Sequence, residues 1–337
     1  MSSTIVDIRA RQIFDSRGKP TIEVDVKTGD GVSKAIDNVH QIIGPSLVAQ
    51  KFNVRDQQKI DDWLLSLDAR LGANALLGVS LAVAIAGSRA DHIAKLAGTS
   101  TLTLPLPAFN IINGGAHAGN IIPFQEFMII PTAINVGDEG GFAPNIRSVY
   151  DCLDLIMEAI KKSGYLEHVK IGLDVAASGT PFSYMLMENS WRNYTPILLG
   201  NILVTRCNLA QYVVCSIEDA FDQDDFDSWT LLSSMLEIQI VGDDLTVTNP
   251  KRIKEAISRR ACNALLLKVN QIGTLSESIS AALMAKSASW NVMVSHRSGE
   301  TEDTFIADLA VGLDAGQIKS GATCRSERLA KYNRLLR

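Results

Sequence analysis

Charged residues stand at the ends of six short apolar runs in the second half of this sequence. Val169 to Leu173 stops at Asp174, Val213 to Ile217 at Glu218 and Asp219, and Ile238 to Val241 at Asp243 and Asp244. The next three stop at cations: Ala264 to Leu267 at Lys268, Val292 to Val294 at Ser295, His296, Arg297 and Ser298, and Gln317-Ile318 at Lys319. Any one of these is an ordinary solvated strand edge, but carboxylates on three consecutive runs and then cations on three more have chemical content. Asp174, Glu218 and Asp243, gathered together, would raise one another's pKa unless a cation sat among them. Their all-oxygen donor set suits Mg²⁺, which keeps several waters and often holds a phosphorylated substrate. Beside that cation Lys268 would find its neutral form favoured, and a lysine shifted this way can act as a base near neutral pH. Arg297 offers a planar fork for phosphate or carboxylate, and Lys319 a further positive charge. The set suits removal of a proton next to a carboxylate, with metal and side-chain cations holding the negative charge that develops.

The elements that must position these groups follow from the same runs. Four or five apolar residues are too few for a helix and suit a strand buried on both faces. Between Lys268 and Val292 lies a helical span with Ile279, Leu283 and Met284 on one face. Strand, helix and strand in this order bring both strand ends to the same side. Repetition of the unit predicts an α/β fold, a TIM-like parallel β/α barrel whose site is built from the loops after the strands. The N-terminal part reads differently. Thr4 to Val26 is predicted to be a hairpin turning at Ser16-Arg17-Gly18-Lys19-Pro20, with Ile22, Val24 and Val26 alternating with polar residues. Helices are expected near 32–50, 54–67 and 73–96. Prolines in Leu104-Pro105-Leu106-Pro107 then interrupt the chain. The expected organisation is a smaller α+β domain over residues 1–105 and a barrel over 106–337.

Composition excludes some partners. With 32 basic and 37 acidic residues and a net charge of −5, no basic face for nucleic acid is expected. The five cysteines are scattered and odd in number, which suits reduced thiols in a cytoplasmic protein. Asp7 and Arg9 stand where a signal peptide needs an apolar core, and Ala73 to Gly87 is shorter than the ~20 residues of a membrane span, so no membrane partner is expected.

Longer phrases carry a resemblance. IFDSRGKPTIEVDV, LPAFNIINGGAHAGN, FQEFMIIP, NVGDEGGFAPN, IGLDVAAS, SIEDAFDQDD, VGDDLTVTNPKRI, LLLKVNQIG and VSHRSGETEDTFIADLAVGL resemble the enolases, or phosphopyruvate hydratases, over nearly the whole chain. The wording is nearest to plant and animal members. The resemblance implies the enolase type of barrel, a homodimer, and Mg²⁺-dependent dehydration of 2-phosphoglycerate to phosphoenolpyruvate in glycolysis. Asp174, Glu218 and Asp243 then match the ligands of the first Mg²⁺, and Lys268 the base that takes the substrate's proton. Glu139 matches the acid that helps the hydroxyl leave, with Glu126 beside it. His117 matches a histidine on a loop near the substrate. Ser295, His296, Arg297 and Ser298 match the segment that holds the substrate, Arg297 and Ser298 at its phosphate, and Lys319 a cation at its carboxylate.

The sequence also departs from the family. After Thr28-Gly29-Asp30-Gly31, enolases run into a strand and a closing loop reading SGAST, whose serine binds a second Mg²⁺; here the chain passes straight to Val32-Ser33-Lys34-Ala35. A join from Ile134 to Asn135 omits a helical segment with another active-site histidine, residues 179–211 do not match the family's wording, and a helix is expected to be missing after Leu335-Leu336-Arg337. Losing the closing loop removes a metal ligand and the exclusion of water. Two readings result: an active enolase, and a catalytically impaired enolase-like protein acting by binding or subunit pairing. A relative that enolises an unphosphorylated acid, such as a racemase or lactonising enzyme, fits less well, because Ser295 to Thr301 and Asn135 to Asn145 are enolase wording.

Overall fold

The computed structural model describes residues 5–17, 20–28, 38–67, 71, 73–87, 89–113, 126–127, 137–143, 146, 149–178 and 212–337. His117, both joins and the segment 179–211 lie outside these residues, and Glu126 is described by its backbone alone.

The expected hairpin is β1 (Ile5–Phe14) and β2 (Pro20–Thr28), antiparallel, with Ile8 opposite Val26, Ala10 opposite Val24 and Gln12 opposite Ile22. Helices α1 (Gly44–Gln50), α2 (Gln57–Leu65), α3 (Ala73–Ala86) and α4 (Arg89–Ala97) follow. Ile5, Ile8, Ile43, Leu47, Ile60, Leu64, Val79 and Val83 form their shared core. The single helix expected over 73–96 is broken, with α3 and α4 bent by 110°. The break falls beside Gly87, where the His92 ring packs so closely that an added Cβ would lie 2.9 Å from its Cδ2. Among the described residues no single helix is long and apolar enough to cross a membrane.

The second part supplies β3 (Leu106–Ala108), β4 (Ile112–Asn113), β5 (Glu126–Phe127), α5 (Val149–Ser163), β6 (Ile171–Asp174), β7 (Val214–Glu218), α6 (Phe226–Met235), β8 (Gln239–Gly242), α7 (Pro250–Arg259), β9 (Ala264–Leu267), α8 (Leu275–Ser287), β10 (Asn291–Ser295), α9 (Phe305–Gly312), β11 (Gly316–Lys319) and α10 (Ser326–Leu336). One sheet runs β3-β11-β10-β9-β8-β7-β6-β5-β4. From β3 through β11 to β6 the strands are parallel, while β5 runs antiparallel to both neighbours, one reversal within the barrel that the sequence led us to expect. The two ends of the sheet, β3 and β4, are separated in the chain only by Phe109, Asn110 and Ile111, so the barrel is nearly closed. All four residues of β9 are buried. Leu266 joins Val241, Ala264 and Met293 in a small cluster inside the barrel, and Leu265 and Leu267 join the larger one formed with the helices.

Local capping fixes where the helices begin. Asp225, Asn249 and Thr274 accept from backbone N–H groups at the starts of α6, α7 and α8. The start of α8 is also clasped by the N-terminal part. Asp61 of α2 accepts from the Ser276 N–H at 3.0 Å, Gln57 donates to Asp61 at 3.0 Å, and the Leu275 N–H donates to Ser80 Oγ at 3.0 Å. This contact holds the helix that follows the Lys268 loop.

Candidate active site

Parallel register sets Asp174 and Glu218 side by side at the ends of β6 and β7. Lys319 reaches them from the end of β11, its Nζ donating to Asp174 Oδ2 at 3.0 Å and to both Glu218 oxygens at 2.9 Å. Asp243, just past β8, accepts from Lys268 Nζ and, at 2.9 Å, from Gln271 Nε2. Asp219 turns both oxygens onto backbone, accepting from the N–H of Asp243 at 2.9 Å and of Asp244 at 2.8 Å. Burial, reinforced by Asp174, pushes the Glu218 carboxyl well above its usual range despite Lys319. Burial and Asp243 do the same to Asp219. For Asp243 burial is the largest influence and works upward too, but Lys268, Gln271 and Lys319 together outweigh it and hold the carboxyl below its usual value.

A neutral Lys268 is expected beside a bound cation; facing the carboxylates alone, the amine is pushed the other way. Burial favours the neutral amine, yet the charges of Asp243 and Glu218 win, and Lys268 lies above the ordinary lysine value. The carboxylates facing the ammonium are the reason.

The donor set fits a divalent cation. It is all oxygen and buried, and Asp174 Oδ1 has no hydrogen-bond partner although it is shielded from solvent. Oxygens of Asp219, Asp243 and Asp244 also lie within 4.8 Å of one another. Both Asp219 oxygens are engaged by backbone N–H groups, so Asp174, Glu218 and Asp243, held chiefly by lysines that can swing away, are the better ligands.

A second group of buried residues gathers where the turn 137–141 meets the loops after β10 and β11. Glu139 Oε2 lies 3.2 Å from Asn110 Nδ2 and 3.2 Å from His296 Nε2. On its far side the His296 ring meets Arg328 Nη1 at 2.7 Å from Nδ1. Burial, with the Arg328 charge, holds this imidazole below its usual pKa despite Glu139. Arg297 donates through Nη1 to Asn270 at 3.1 Å, and Ser295 Oγ to the His296 carbonyl at 2.9 Å. The Ser298 carbonyl accepts from Arg328. Of the residues named from the sequence, Asp174, Glu218, Asp243, Lys268, Glu139, Ser295, His296, Arg297, Ser298 and Lys319 thus cluster around the C-terminal end of the barrel. The Glu126 backbone pairs with Asp174. Sequence reasoning missed Asn110, Gln271 and Arg328, and it passed over Asp219 and Asp244 although each adjoins a carboxylate it chose.

A nearly closed β/α barrel with a buried carboxylate and lysine cluster at its mouth is the architecture of a TIM-barrel enzyme. Residues 101–135 and 132–337 match the enolase C-terminal TIM barrel domain, and residues 27–96 the enolase N-terminal domain. Enolase 2 of Hevea brasiliensis is 47% identical over 424 aligned positions, which take in all of this chain and 95% of that protein. The chain belongs to the enolase family, which makes it a lyase with a small-molecule substrate and implies a divalent metal. The barrel match divides at 132–135, where the second join was read, and 424 aligned positions against 337 residues are consistent with missing internal segments.

Proposed function

We propose that this chain dehydrates 2-phosphoglycerate to phosphoenolpyruvate in glycolysis, with Mg²⁺ held by Asp174, Glu218 and Asp243. The observation that carries the reading is the separation of a lysine, Lys268 on Asp243, from an acid, Glu139 on Asn110 and His296, at one barrel mouth. Lys268 Nζ takes the α-proton, and the electron pair of the broken C–H bond moves toward the substrate's carboxylate. Glu139 then gives a proton to the departing hydroxyl, the C–O bond breaks, and water leaves as the double bond forms. Mg²⁺, when bound, supplies positive charge that offsets the developing charge and favours the neutral Lys268 amine. Arg297 and Ser298 hold the phosphate, Lys319 transfers its ammonium to the substrate's carboxylate, and His117, Ser295, His296 and Glu126 complete the contacts. The same reading makes the protein a cytoplasmic homodimer without nucleic-acid or membrane partners.

The direct passage from Thr28 to Ala35, without the closing loop of the family, favours a second reading in which the chain binds substrate but does not turn it over. Ultraviolet absorbance separates the two. A Mg²⁺-dependent rise with 2-phosphoglycerate is expected; folded protein that binds this substrate at saturating Mg²⁺ without any rise would leave the binding reading alone standing.

A further inference from the structure

Arg328 is fully buried in α10, yet it points both Nη groups at the site's loops. Nη1 donates to the Arg297 carbonyl at 2.7 Å and meets His296 Nδ1 at 2.7 Å. Nη2 donates to the carbonyls of Asp138 at 2.9 Å and Ser298 at 2.7 Å. Nε faces Glu327 at 3.6 Å. A planar guanidinium with its Nη hydrogens committed in four directions cannot turn without breaking several bonds. It is pinned further by Gly321, at φ +76°, where an added Cβ would lie 2.6 Å from the Glu139 carbonyl, 3.0 Å from Arg328 Cδ and 3.2 Å from His296 Cε1.

Arginine has donors only, so His296 Nδ1 must accept. A neutral imidazole then carries its proton on Nε2, and Nε2 faces Glu139 Oε2 at 3.2 Å. Oε2 therefore accepts from His296 and from Asn110 at 3.2 Å. We infer that Arg328 is a positioning residue that fixes His296 as the Nε2–H tautomer and thereby keeps that N–H aimed at Glu139 Oε2. The tautomer follows from the geometry alone, whereas its purpose rests on the proposed role of Glu139.

Histidine ¹⁵N spectra at mildly alkaline pH test the tautomer directly, with the His296 signals assigned by their loss in His296→Asn. A pyridine-type Nδ1 and a pyrrole-type Nε2 are expected, and a protonated Nδ1 overturns the inference. In Arg328→Gln this pattern should be lost, and kcat should fall by roughly 10–100-fold, as for supporting partners of catalytic groups, with KM changed by less than about threefold. Arg328→Lys, which keeps a donor and the charge, should restore part of both. A wild-type spectrum and unchanged kcat in Arg328→Gln would also sink the inference. Should Glu139→Gln turn over substrate normally while the His296 spectrum is as expected, the role of Glu139 fails and the tautomer assignment stands.

Discussion

The two poles of the site are held by different means. At the carboxylate pole, Asp174, Glu218 and Asp243 are fastened by the ammonium groups of Lys319 and Lys268, so charge balance sets their positions. At the acid pole, Glu139 and His296 are fastened by Asn110 and by an arginine seated on backbone carbonyls. The first arrangement can be redrawn by a bound cation or by substrate, because a lysine is a flexible point charge. The second cannot be redrawn without moving three loops. On the proposed function, a lysine pole that responds to charge beside a glutamate pole set by the scaffold suits a reaction in which only the first must change protonation state on binding.

The largest effect should come from the charge-set pole. Lys268→Ala is expected to lower turnover by roughly 10²–10⁴-fold and to abolish exchange of the substrate's α-proton with solvent, while Mg²⁺ binding stays largely intact. Retained exchange, measured by NMR in deuterated buffer, would contradict the role. Lys319→Met comes next. It strands two buried carboxylates, and breaking a buried pair in this way costs about 3–5 kcal/mol. The loss should show in thermal melts with chelator present and shrink when Mg²⁺ is added, whereas the stability cost of Arg328→Gln should be indifferent to Mg²⁺. Equal response of both variants would erase the distinction between the poles.

A pH dependence sharpens the same contrast. The Glu218 pKa is raised in the folded chain from an ordinary 4.5, so its contribution to stability is complete below that value and is lost as pH rises through the folded pKa. In chelator, unfolding free energy should therefore fall as pH climbs from about 4.5, and Mg²⁺ affinity should grow over the same window with release of a proton. Calorimetry in two buffers of different ionisation enthalpy would detect that proton. Its absence would mean that Glu218 is already ionised beside Lys319.

Much of the barrel was legible because its strands are short apolar runs that end in chemistry. The run Ala264 to Leu267 is β9 residue for residue. The reversal of β5 was not legible, since two-residue strands carry no period. Nor was the break near Gly87, where the apolar pattern carries on past α3 and the His92 ring packs against the glycine. Arg328 was invisible for a related reason. It lies in Ser326–Leu336, and Arg328 and Lys331 are both buried there, so the helix turns charge inward, where a period-based reading assigns it to solvent. Lys268 was legible as a residue, while the direction of its shift depends on which neighbours are charged: Asp243 and Glu218 raise it, and a cation among them would lower it.

The smallest effect concerns the clasp that carries α8, and it turns on a competition. A carboxylate at a helix start is favoured by the exposed N–H groups there, and Asp61 accepts from Ser276 and Gln57. Burial opposes this and prevails, raising the Asp61 pKa above an ordinary 3.8 in spite of those hydrogen bonds. Its contribution to stability is then complete below about that value and is lost as pH rises through the folded pKa. Asp61→Asn, which can supply only one accepting oxygen, should cost about 1–2 kcal/mol near pH 4. That cost should shrink toward neutral pH, where the wild-type chain must bury a charge and the variant need not. Urea unfolding of both proteins at the two pH values isolates the effect, because the Glu218 contribution is common to both and cancels in the difference. A cost that grew with pH would mean that the helix start outweighs burial and that Asp61 is held as an ion.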